Sequence, residues 1–150
     1  MLISLYSKAK RRNKDKLAVA LMRELNKAIK PATTGLLAED AFDIHYAEKV
    51  FKRENGRMLT LSHQVARDYA RRIHEAWGGW WVGGDDETKV YGVFRELRDK
   101  VQVSQVAKAY QELYRENLID KLHDKLEKKE VKKVLDIVGP LAEYRIKGEN

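Results

Sequence analysis

The sequence predicts an all-α protein. Apolar residues recur at helical spacing through most of the chain, only two prolines occur in 150 residues, and strand signals are nearly absent. The composition, 43% apolar and 35% charged, suits a helical domain with a real core rather than a disordered chain.

The elements follow in order. Leu17, Leu21, Leu25 and Ala28 mark a first helix, which ends before Pro31 in the turn-like "KPATTG". Leu37, Ala41, Ile44, Ala47 and Phe51 mark a second, ending near Asn55 and Gly56. "RMLTL" at 57–61 is too short to assign. Ser62 can cap a helix whose buried side carries Val65, Ala66, Tyr69, Ala70, Ile73 and Trp77. Asp85 or Asp86 caps the next, in which Val90, Val93, Phe94 and Leu97 form one face. Val103, Val106, Ala107, Tyr110, Leu113 and Tyr114 form a further stripe. Asn117 caps a short helix with Leu118, Ile119, Leu122 and Leu126, and Val131, Val134, Leu135 and Val138 form the last, which Gly139 and Pro140 stop. The expected organisation is a basic N-terminal helical pair over 1–58, a five-helix module over 59–140 and a tail over 141–150.

The net charge of +7 is unevenly placed. Residues 1–75 hold 16 Lys/Arg against 9 Asp/Glu, whereas 76–150 hold 14 of each. The densest cluster is Lys8, Lys10, Arg11, Arg12, Lys14 and Lys16. Such a run can bind nucleic acid through counterion release or pair with an acidic neighbouring subunit. No aromatic residue interleaves with it, so base stacking is not indicated. No apolar run approaches the roughly 20 residues that span a bilayer. The opening apolar hexapeptide precedes the positive charge, the reverse of a secretory signal, so secretion is not expected.

The stretch "GGWWVGGDDE", 78–87, is the most distinctive in the chain. Two glycine pairs flank Trp80, Trp81 and Val82. Two adjacent tryptophans rarely both reach one small core, and Trp is enriched at the centres of protein interfaces, so these three residues are the candidate partner-binding site. A phosphate cradle before the helix is excluded by Asp85, Asp86 and Glu87, which repel an anion.

Residues of about 65–138 resemble a single annexin repeat. "AWGG" (Ala76, Trp77, Gly78, Gly79) and "GDDE" (Gly84, Asp85, Asp86, Glu87) stand where that family has Ala-Met-Lys-Gly and Gly-Thr-Asp-Glu, and "AYQELYRENLIDKLHDKLEKKEVKKVLDIV" follows the family's later helices. Tyr110, Tyr114, Leu118, Leu122 and Leu126 hold the apolar positions there. The phrasing is also similar to single annexin-like repeats in small proteins of tailed bacteriophages, a resemblance that implies a virion or a host cytoplasm as the location. The resemblance implies a five-helix bundle. Annexin calcium sites combine loop carbonyls with one acidic side chain near the end of the fourth helix, where this chain has Lys125. Its loop is also about three residues longer, so calcium-dependent membrane binding is not expected.

Catalytic chemistry has no signature here. There is no cysteine, no Walker loop and no dinucleotide fingerprint. His45, His63, His74 and His123 make no pair at the i, i+4 spacing of a helical metal site. Acid pairs such as Glu39 with Asp43, or Glu127 with Glu130, read as solvated surface charge. The expectation is a protein without catalytic residues, metal or cofactor. Its expected role is a structural or adaptor part of a larger assembly, with nucleic-acid binding by the basic cluster as the alternative.

Overall fold

A computed structural model describes residues 36–78 and 86–147. Among these the chain is all-α, with six α-helices, one short 3-10 turn and no strand. The chain divides into two compact units, Met1–Leu37 and Ala38–Asn150. The helix expected over Leu17–Ala28 lies outside the described residues.

The second unit opens with the 3-10 turn Ala38–Phe42, then α1 (Tyr46–Arg53), α2 (His63–Glu75), α3 (Glu87–Glu96), α4 (Lys100–Tyr114), α5 (Leu118–Lys125) and α6 (Lys128–Val138). α4 is the axis. The 3-10 turn, α1, α2 and α5 all pack on it, while α3 joins α2 to α6. Phe42, Ile73, Val90, Phe94, Val103, Tyr110, Leu122 and Val134 belong to one continuous core.

The caps expected from sequence form at three helices. Ser62 Oγ accepts from Val65 N–H at 3.2 Å, and Asn117 Oδ1 accepts from Asp120 N–H at 3.1 Å. Of the two candidate acids before α3, Asp86 is the cap, accepting from Lys89 N–H. Each satisfies a donor that the first helical turn leaves unpaired. α6 begins differently: Glu130 Oε1 reaches back to the Glu127 N–H at 2.8 Å.

The segment expected as one helix from Leu37 to Phe51 is broken in two. Asp43 interrupts it. Its carboxylate accepts from the His45 N–H at 2.9 Å, an Asx-type turn that competes with helix continuation. Burial alone would raise the Asp43 pKa, but this bond and Lys49 at 3.1 Å hold it below the usual carboxylate range. The break rotates the register. α1 buries Tyr46 and Val50, whereas Phe51, expected on the inner stripe, is 52% exposed. Val65, likewise expected inside, is 40% exposed, because α2 turns Ala66, Ala70 and Ile73 to the core.

The expected module boundary at 58/59 falls inside the second unit, which runs from Ala38. Ser104, fully buried on α4, shows why the early segment belongs there: its hydroxyl donates to Asp43 O at 2.7 Å and accepts from Ala47 N–H at 3.0 Å. The last described segment is tied in as well. Met58 bridges antiparallel to Ile146, Asp99 pairs with Ala142, and the Tyr46 hydroxyl donates to Glu143 O at 2.8 Å.

Candidate interaction surface

The residues on either side of the tryptophan pair are fixed in the fold. Ala76 and Trp77 follow α2 and are buried. The Trp77 indole N–H donates to the Tyr110 hydroxyl at 2.9 Å inside the core. Gly78 takes φ +47, a left-handed backbone that glycine adopts at no steric cost. On the far side, Asp86 N–H donates to Ala76 O at 2.7 Å, and the Asp86 side chain caps α3. The two ends of the excursion are thus joined by one backbone bond, anchored on one side by an aromatic ring and on the other by a helix start. Trp80, Trp81 and Val82 lie outside the described residues.

The base of the loop adjoins an aromatic cluster. The His74 and Tyr114 rings stack at 3.7 Å and 8°, and Tyr110 meets Tyr114 at 4.9 Å. Burial pushes the Tyr110 hydroxyl up to about 12, against the lowering effect of the Trp77 N–H. This stack makes the end of α2 and the last turn of α4 one piece.

A cleft of about 230 Å³ opens between α1, α2 and α4. Ala47, Met58 and Ala66 supply apolar surface, and the exposed Phe51 ring forms one wall. His63, Lys108 and Glu112 stand in its lining. Sequence reading missed this feature, because it took Phe51 for a core residue.

The acids and histidines weighed in the sequence have these places in the fold. Asp43 shapes the turn before α1, and Glu130 closes the start of α6. His74 stacks on Tyr114, His63 lines the cleft, and His123 lies 4.0 Å from Glu39. Among the described residues no three His, Cys, Asp or Glu side chains gather as a metal site would require. No helix among them is long and apolar enough to cross a membrane.

The buried polar residues that sequence reading missed lie at the start of α4. Asp99, with no exposed surface, caps the helix through Gln102 N–H at 2.8 Å and accepts from Arg145 Nε at 2.9 Å. The buried Lys100 ammonium donates to the carbonyls of Gly139 and Leu141. Desolvation lowers its pKa. A Gln105 side chain pairs with both backbone groups of Leu61, at 2.8 and 3.0 Å. The alternation of polar and apolar residues in "DKVQVSQ" is the one trace of this arrangement in the sequence.

Charge divides where the structure divides. Residues 1–37 contain nine Lys/Arg and two Asp/Glu, while 38–150 contain 21 of each. The basic cluster Lys8, Lys10, Arg11, Arg12, Lys14 and Lys16 lies outside the described residues. Within the second unit, cations are met locally: Arg72 pairs with Glu96 at 2.6 Å, Lys121 with Glu116 at 3.0 Å, and Lys132 with Asp136 at 2.8 Å.

Comparison with protein-family models, with curated proteins and with solved structures gives no match.

Proposed function

We propose that the chain is a non-enzymatic structural or adaptor component of a larger assembly, working through protein contacts made by the loop that carries Trp80, Trp81 and Val82. The observation that carries this reading is the closed base of that loop. Trp77 already fills the aromatic seat at this end of the core, bonded to Tyr110. The Asp86–Ala76 bond then holds the loop's two ends together. A fixed base limits the ordering entropy that a contact loop loses on binding, and tryptophan supplies large contact area.

The helical part is, on this reading, an annexin-like five-helix module put to a use without calcium. α2 to α6 supply its five helices. Lys125, the last residue of α5, puts an ammonium where the calcium chemistry of that family needs a carboxylate. The resemblance to tailed-phage proteins makes a virion the natural setting.

The test is size exclusion with light scattering on the full chain and on W80A/W81A, at low and high salt. The native chain is expected to form a defined higher-mass species. The double variant is expected to keep its helical circular dichroism and its Tm while losing that species. Unfolding of the variant would make the two tryptophans core residues and end the proposal.

A further inference from the structure

We infer that the face made by α1, α2 and α4 pairs with the same face of a second copy of this chain, each copy seating its Phe51 ring in the other's cleft. This pairing is separate from the contacts of the tryptophan loop. Phe51, in the last turn of α1, is half exposed although it is a large aromatic residue. Gly56 backs the ring so closely that a Cβ there would meet it at 3.1 Å. The ring also walls the cleft of about 230 Å³, whose further apolar surface comes from Met58 and from Ala47, Ala66 and Ala109. Those three alanines lie on α1, α2 and α4, and their small side chains leave the space. Pockets for drug-sized ligands run to roughly 300–1,000 Å³, so this cleft suits one large side chain rather than a cofactor. Ile146, also exposed, is the residue paired with Met58. Apolar surface therefore continues past the cleft.

The charges on the rim select the occupant. Glu48 is met by Lys52 at 3.3 Å, and Lys108 acts on that carboxylate more weakly. Lys108 and Glu112, one turn apart on α4 and both exposed, form no ion pair among the described residues. A ligand of one sign would be drawn to one of them and repelled by the other. A second copy turned about a two-fold axis meets both, because an isologous contact pairs each residue with its counterpart twice: Lys108 faces the Glu112 of the other copy, and Glu112 its Lys108. The same axis brings two rings to two clefts. A shallower hollow shares Lys108 and Glu112 and widens the face toward Ile44, Gln111 and Arg115. A contact centred on one cleft belongs at the small end of interfaces, below about 1,200 Å² in total, so the pair is weak and dissociates on dilution.

The test is sedimentation equilibrium from roughly 5 to 500 μM, on the full chain and on W80A/W81A, so that the two contacts are read apart. W80A/W81A is expected to rise from the mass of one chain toward that of two. F51S in that background is expected to associate about 10-fold more weakly or less still, with its helical dichroism unchanged. K108E and E112K, each alone, place like charges opposite one another and are expected to weaken pairing by about 10-fold. The swap K108E/E112K restores both pairs, and so does mixing the two single variants, which then associate with each other in preference to themselves. A merely structural role for either residue gives no such recovery. One-chain mass for W80A/W81A across the whole range would overturn the inference and leave the tryptophan-loop reading standing. Native association in F51S, or absence of recovery in both the swap and the mixture, would overturn it equally.

Discussion

The Trp77 indole N–H donates to the Tyr110 hydroxyl across 33 residues of chain, at 2.9 Å and inside the core. This bond couples the exit of α2, and hence the base of the tryptophan loop, to the C-terminal part of the axial helix α4. Y110F removes the acceptor but keeps the ring, leaving a buried N–H unpaired. The expected cost is about 1–3 kcal/mol, read as a lower urea midpoint at unchanged m-value. An unaltered midpoint would show that the bond contributes nothing net.

The same hydroxyl gives the protein an alkaline limit. Tyr110 and Tyr46 are both pushed up to about 12 by burial, from an ordinary value of 10.0. Folding therefore favours their neutral forms. The stabilisation is complete below the unfolded-state pKa and is lost as pH rises through the folded value, a window of about pH 10 to 12. Two units correspond to a few kcal/mol per group at most. Thermal unfolding followed from pH 9 to 12 is expected to show a steep fall in Tm that Y46F shallows. A flat profile would contradict the linkage.

Asp99 is a carboxylate with no exposed surface. It caps α4 and receives Arg145 from the last described segment. D99A removes a cap worth about 1 kcal/mol and leaves Arg145 without its 2.9 Å partner, so a total loss of about 2–4 kcal/mol is expected. D99N keeps the capping oxygen and is expected to recover part of it. Urea unfolding of the three proteins would separate the two roles; equal loss in D99A and D99N would leave the cap with no share.

What could be read in advance follows from how each residue acts. Ser62, Asn117 and the stripes of α3, α5 and α6 were legible because caps and helical periodicity are local. Asp43 was not: its Asx turn breaks a stripe that periodicity alone would continue, and Phe51 turns outward as a result. The buried Asp99, Lys100 and Ser104 were illegible for a different reason. Their partners are Arg145, Gly139, Leu141 and Asp43, far along the chain, and no local pattern encodes such pairs. The Trp80–Trp81 stretch was conspicuous from composition, but its closure by Asp86 and Ala76 needed the fold.

Ser104 holds α1 to α4 through two bonds from one hydroxyl, to Asp43 O and from Ala47 N–H. S104A should cost about 2 kcal/mol, since both backbone groups lose their partner in a partly buried setting. The readout that isolates this role is amide exchange at Ala47, expected to accelerate well beyond the global change. Unchanged protection at Ala47 would mean that water replaces the hydroxyl.

Phe51 and Gly56 form the last test, because here two neighbouring substitutions should differ in an order that sequence alone would reverse. Phe51 is half exposed, so F51S should cost little, on the order of 0.5 kcal/mol. Gly56 has φ +74, and a Cβ there would meet the Phe51 ring at 3.1 Å. G56A thus combines backbone strain with a contact that requires the ring to move, and about 1–2 kcal/mol is expected. In F51S/G56A the clash is gone and only the strain remains, so the double variant should be less destabilised than the sum of the singles. Simple additivity in urea unfolding would show that the ring moves aside at no cost.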